Sequence, residues 1–143
     1  MANRSPMFWA TPLLAVAISA CSTVPVTDTT AKAVPAERIY EEAYLSPSAE
    51  RTATIFVARD KGLLGSGCSH DISLNNVKIM SLRQSEAATL HVAPGSYFLK
   101  LSTGGGLCAN ISTSQNLTLA AGERQSYRVT TPSDFNLRLT REE

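Results

Sequence analysis

The side chains with the most chemical potential in this 143-residue chain gather around one cysteine. Cys68, His70 and Asp71 fall within one short stretch, and these are the residue types used for metal ligation or for a nucleophile, base and carboxylate acting together. Such chemistry requires convergence on a single point. If a β-strand starts at this place, His70 and Asp71 project to opposite sides of it and cannot converge. His91 is the only other histidine, and a three-ligand zinc site would need further convergent donors. Serines are abundant, yet none has the Gly-x-Ser-x-Gly setting of a hydrolase elbow. Gly65-Ser66-Gly67 and Gly104-Gly105-Gly106 lack the closing lysine and following helix of a phosphate loop. Arg59-Asp60-Lys61 reads as a solvated charge cluster at a strand end. The expectation is therefore no catalytic residue, no metal, no cofactor and no enzyme.

Cys68 and Cys108 have a simpler use. Each adjoins a glycine-rich segment, where unfolded-state entropy is high and side-chain packing is scarce. A disulfide between them would stabilise the fold by ~4 kcal/mol in the chain-entropy model, and it requires an oxidising compartment. A redox or metal pair is the alternative, although neither cysteine has a Cys-x-x-Cys partner.

The elements that must position these residues read as strands. From Ala53 onward apolar residues alternate with polar ones: Ile55 and Val57, Ile72 and Leu74, Val77 and Ile79, Leu90 and Val92. The pattern continues through Tyr97, Leu99 and Leu101, then Leu117 and Leu119, Tyr127 and Val129, and Phe135, Leu137 and Leu139. Period two with turn residues between the runs predicts an all-β domain over residues 52–143, an antiparallel β-sandwich of about seven to eight short strands, with a small barrel as the alternative. Asn75-Asn76 suits a two-residue hairpin that sets Leu74 opposite Val77 and Ile72 opposite Ile79. Pairing about Pro94-Gly95 would set Val92 opposite Tyr97, Leu90 opposite Leu99 and His91 opposite Phe98. A loop at Ala121-Gly122-Glu123 would place Leu117 across from Tyr127. Upstream, residues 21–51 read as a linker, with Ser22 to Ala36 a flexible tether and Glu37 to Leu45 a possible short helix.

The remaining cysteine, Cys21, closes the run Leu14-Ala15-Val16-Ala17-Ile18-Ser19-Ala20. Arg4 supplies a positive n-region, Met7 to Ile18 an apolar h-region, and Ser19-Ala20 a small-residue cleavage site. The apolar run is shorter than the ~20 residues that span a bilayer, and Pro6 and Pro12 sit badly inside a long spanning helix. The segment resembles a bacterial lipoprotein signal peptide. That resemblance implies cleavage of residues 1–20 and lipidation of Cys21 as the new N-terminus. Two or three acyl chains there would give a permanent membrane anchor. Ser22 stands where aspartate would favour inner-membrane retention, so the resemblance implies the periplasmic face of the outer membrane.

Net charge supports no polyanionic partner. The whole chain carries +1, and loss of Arg4 with the leader leaves twelve basic residues against twelve acidic. With no basic stripe, nucleic acid is not an expected partner.

Four segments together, Ala53 to Arg59, Gly65-Ser66-Gly67, Ile72 to Ile79 and Val92 to Leu99, resemble a widespread family of small bacterial lipoproteins of unknown function. In that family a strand ending in arginine precedes a Gly/Ser loop, a Leu-Asn-Gly hairpin and a Pro-Gly-x-Tyr/His turn. Here Asn76 replaces the usual glycine. The likeness covers about the last ninety residues and implies a β-sandwich, not a chemistry. The expectation is a non-enzymatic binding or structural module, anchored to the membrane by its lipid and contacting an envelope protein or polymer. The alternative is a protective or inhibitory lipoprotein acting against a toxin, phage or hydrolase.

Overall fold

Alternating apolar side chains from Ala53 onward form strands, and the strands form two sheets. A computed structural model describes residues 23–62, 65–103, 108–131 and 136–142. Cys21, the signal segment 1–20, Phe135 and the Gly104-Gly105-Gly106 run lie outside the described residues. In chain order the strands are β1 Lys32–Ala33, β2 Ala53–Arg59, β3 His70–Leu74, β4 Val77–Leu82 and β5 Glu86–Val92. They continue with β6 Gly95–Thr103, β7 Ser112–Leu119, β8 Arg124–Thr130 and β9 Arg138–Glu142. One sheet has the order β1-β5-β2-β8-β9 and the other β4-β3-β6-β7. Their facing sides bury Ile55, Val57, Ile72, Leu74, Leu90, Leu99, Leu101, Tyr127 and Val129. Each such aliphatic side chain contributes roughly 1.5–3 kcal/mol through apolar burial.

The fold is the expected all-β sandwich, with nine strands among the described residues. It is mixed in direction: β1 runs parallel to β5 and β2 parallel to β8, while the other ladders are antiparallel.

Of the three expected hairpins, only the first forms. Asn75 and Asn76 adopt φ of 50° and 66°, the left-handed pair of a tight two-residue turn, and Leu74 faces Val77. Beyond it a bulge shifts the register, so Ile72 pairs with Met80 rather than Ile79. The bulge lets consecutive residues Ile79 and Met80 both be buried. The other two turns do not close hairpins. β5 pairs with β1 and β2, and β6 with β3 and β7, so Pro94 carries the chain from one sheet to the other. Leu90 therefore pairs with Ile55, and Leu99 with Leu74 and Gln115. The Ala121-Gly122-Glu123 turn likewise crosses between sheets, so Leu117 pairs with Tyr97 instead of Tyr127.

Residues 24–45 are not a free linker. Val24 pairs with Lys61 through both backbone hydrogen bonds, 2.8 and 3.1 Å. The segment then lies on the outer face of the five-stranded sheet, where Val26 and Ala31 pack with Phe56, Ala58 and Ala87. Covering that face explains why β2 (ATIFVAR) is buried on both sides. The possible helix at Glu37 to Leu45 resolves into two single 3-10 turns, Ala36–Arg38 and Glu42–Leu45. Between them Ile39 bridges Met80, and the N–H groups of Tyr40 and Glu41 donate to the Ile79 carbonyl. That pairing pulls the chain out of helical geometry and covers the β4 edge. Arg38, held in a two-point pair with Glu86 and donating to the Ser81 carbonyl, ties this side of the sandwich shut. On the opposite side Gln115 of β7 donates to the Leu139 carbonyl of β9.

Candidate functional site at the disulfide end

Strand directions bring the connections β2–β3, β4–β5, β6–β7 and β8–β9 to one end of the sandwich. There Cys68 and Cys108 stand at disulfide distance, with sulfurs 2.11 Å and Cα atoms 5.9 Å apart. They are separated by 40 positions in sequence. The staple joins the connection before β3 to the one before β7, two strands that flank opposite edges of β6's neighbourhood in one sheet.

Beneath it lies Arg59, the last residue of β2 and only 3% exposed. Its guanidinium donates to the main-chain carbonyls of Cys68, Gly65 and, at 3.1 Å, Leu82. A planar fork with five donors can serve several carbonyls at once, which a lysine ammonium cannot do with the same geometry. Burial lowers the Arg59 pKa to about 10, and the charge of Glu86 opposes the drop, so the group stays cationic at neutral pH. Gly65 accepts this contact in a backbone with φ of 67°, a conformation that suits glycine.

His70, at the start of β3, is 1% exposed. Its Nε2 lies 3.4 Å from the Thr131 hydroxyl, and its Nδ1 is buried with no hydrogen-bond partner. Burial, reinforced by the Arg59 charge and opposed by Asp71, depresses its pKa to about 4. The imidazole is therefore neutral under ordinary conditions.

Asp71 points the other way. It accepts from the Ser81 hydroxyl and pairs with Lys78 at 2.9 Å. Lys78 in turn sits 4.4 Å from the centre of the Tyr40 ring. The two residues adjacent in sequence thus serve opposite faces of β3, as strand alternation dictates. His91 is half-buried on β5 and pairs with Thr54 of β2, not with Phe98. Among the described residues no group of three His, Cys, Asp or Glu side chains could hold a metal ion.

The charge cluster Arg59-Asp60-Lys61 is not a solvated turn. Only Lys61 is exposed, while Asp60 is 5% exposed. Asp60 accepts from the Val26 N–H at 3.0 Å and lies 3.5 Å from Arg128 Nε. Burial holds its pKa above the usual carboxylate value, with the Val26 N–H and Arg128 pulling it back. Arg128 also pairs with Glu142 of β9. The sequence signal for this inner cluster was the strand before it: Arg59 ends a run apolar on both faces, so its side chain had no exposed face to occupy.

The chemistry assembled here is cohesive. One buried cation gathers three main-chain carbonyls, one buried carboxylate fixes the N-terminal segment, and a cystine closes the loops over a neutral imidazole. No family model, curated protein or solved structure matches the chain.

Proposed function

We propose that the mature protein is a lipid-anchored lipoprotein of the bacterial envelope, held through Cys21 at the periplasmic face of the outer membrane. Its β-sandwich acts as a non-enzymatic binding or structural module for another envelope protein or polymer. The observation that carries this reading is the run Leu14 to Ala20 ending at Cys21. The cysteine pair Cys68–Cys108 at bonding distance supports it, because such a staple persists in an exported, oxidising compartment. The inward-directed bonding of Arg59 and Asp60 also favours a scaffold role, since the buried charges are committed to the protein's own backbone.

Metabolic labelling with radioactive palmitate and membrane fractionation test the anchor. The wild type is expected to take up label and sediment with outer membranes, and Cys21→Ser to lose both. An unlabelled, soluble wild type overturns the reading. Affinity capture from native membranes tests the module: absence of any enriched envelope protein or polymer removes the binding half.

A further inference from the structure

We infer that the disulfide end of the sandwich faces the bilayer at close range, with Val24 and Lys61 at the headgroup level of an anionic membrane. This rests on lipidation of Cys21. The composition of residues 22–36 suggests a long tether, but the structure removes most of it. Val24 is already locked to Lys61 by two backbone hydrogen bonds, and Val26 is fixed two residues later to the buried Asp60. Three residue steps lead from Cys21 to Val24. Fully extended they span at most ~11 Å.

An acylated Cys21 sits at the junction of hydrocarbon and headgroups, and the headgroup region adds ~5–7 Å on each side of the bilayer. Val24 must therefore lie within, or immediately above, that region. Its surroundings suit the place. Val24 is 55% exposed, an uncovered apolar side chain three positions after Cys21. Among the described residues of the connections at this end, the exposed charged side chains are Lys61 and Arg83, both cationic. The acidic neighbours Asp60 and Glu86 are buried and paired with Arg128 and Arg38. A juxtamembrane cation gains ~1 kcal/mol at an anionic surface. The opposite end, with the Asn75-Asn76, Pro94 and Ala121-Gly122 turns, is then directed away from the lipid. Thr52 at that end is nine residues from Lys61, or ~30 Å along the strand axis.

A single-tryptophan experiment tests this on the full lipidated chain, because the sole tryptophan, Trp9, is lost with the leader. Lys61→Trp and Ala121→Trp both replace exposed residues, at opposite ends of the domain. Each protein is reconstituted into phosphatidylethanolamine/phosphatidylglycerol vesicles containing headgroup-spin-labelled lipid. Tryptophan at position 61 is expected to be quenched several-fold more than at position 121. Lengthening the link between Thr23 and Val24 by about fifteen Gly/Ser residues, an r.m.s. reach of ~20 Å, should bring position 61 down to the level of position 121 while vesicle flotation is retained. Equal quenching at the two positions in protein that floats overturns the inference and leaves the anchor standing. Protein that carries no lipid and fails to float overturns both.

Discussion

The guanidinium of Arg59 donates to the main-chain carbonyl of Cys68, so the end of β2 holds one half of the cystine from inside the fold. A buried positive charge with carbonyl partners replaces the usual ion pair. The same side chain reaches Gly65 and Leu82, so the β2–β3 connection and the end of β4 are organised around one group.

Arg59→Met keeps the apolar stem and removes every donor. Three carbonyls then lose a charged partner, and hydrogen bonds to charged groups are worth about 1.5–3 kcal/mol each, though not additively. The expected loss is ~3 kcal/mol or more in urea unfolding at pH 7. Arg59→Lys is expected to recover less than half of it, because an ammonium cannot span the same carbonyls. A loss below ~1 kcal/mol would mean the carbonyls find water instead.

The staple and the arginine act on the same loop, so their effects should not add. Replacing Cys68 and Cys108 together by alanine removes a cross-link spanning 40 positions, worth ~4 kcal/mol in the chain-entropy model. In a double-mutant cycle with Arg59→Met, the combined destabilisation is expected to fall short of the sum by ~1 kcal/mol or more. Additivity within error would show that Arg59 holds its carbonyls equally well in the open loop.

How much of this was legible in the sequence differs between strands and partners. Period two placed Ile55, Leu90, Leu99 and Tyr127 on the core side correctly, and it identified the Asn75-Asn76 hairpin. It failed for the pairs Leu90/Leu99 and Leu117/Tyr127, for a physical reason. In a two-sheet fold, strands that face one another across the core turn their apolar sides inward just as paired strands do. A register that aligns apolar residues therefore cannot distinguish a hairpin from a crossing between sheets. The N-terminal segment departs from a free tether for a different reason. Its short apolar residues Val24, Val26, Ala31 and Val34 show no period, yet the unexplained Phe56 and Ala58 on the outer face of β2 already demanded a cover. The inner cluster was hidden because Arg59 and Asp60 look like surface residues until both faces of β2 are known to be buried.

His70 makes stability depend on pH in a defined direction. Its folded pKa of about 4 lies below the unfolded value of 6.5, so the unfolded chain binds the proton more readily. The stabilisation is complete above about pH 6.5 and is lost as pH falls toward 4, amounting to ~3 kcal/mol over the window. Asp60, held above its ordinary value, acts in the opposite sense nearer pH 4 and offsets part of the loss. His70→Gln, which cannot titrate, is expected to flatten the slope of unfolding free energy between pH 4 and 6.5. Equal slopes for variant and wild type would show that His70 is accessible to protons in the folded state.

The outer-face cover offers the clearest separation of packing from charge. Asp28 and Arg124 form a two-point ion pair at 2.7 and 2.8 Å, but both side chains are largely exposed. Exposed pairs are worth about 0–1 kcal/mol, so Asp28→Asn should hardly alter stability. Phe56 is different: it is buried against Val26 and Ala31, with the Arg124 guanidinium 4.9 Å from its ring centre. Phe56→Ala removes the body on which the segment rests, at an expected loss of ~3 kcal/mol. Because β2 also contributes Ile55 and Val57 to the main core, the sandwich itself should persist. The cover should open first, and limited proteolysis should then cut within residues 24–31 in Phe56→Ala but not in Asp28→Asn. Amide exchange at Val26, whose N–H is held by the buried Asp60, reads the same event directly. Unchanged exchange at Val26 in Phe56→Ala would show that the Asp60 hydrogen bond, rather than apolar packing, holds the segment down.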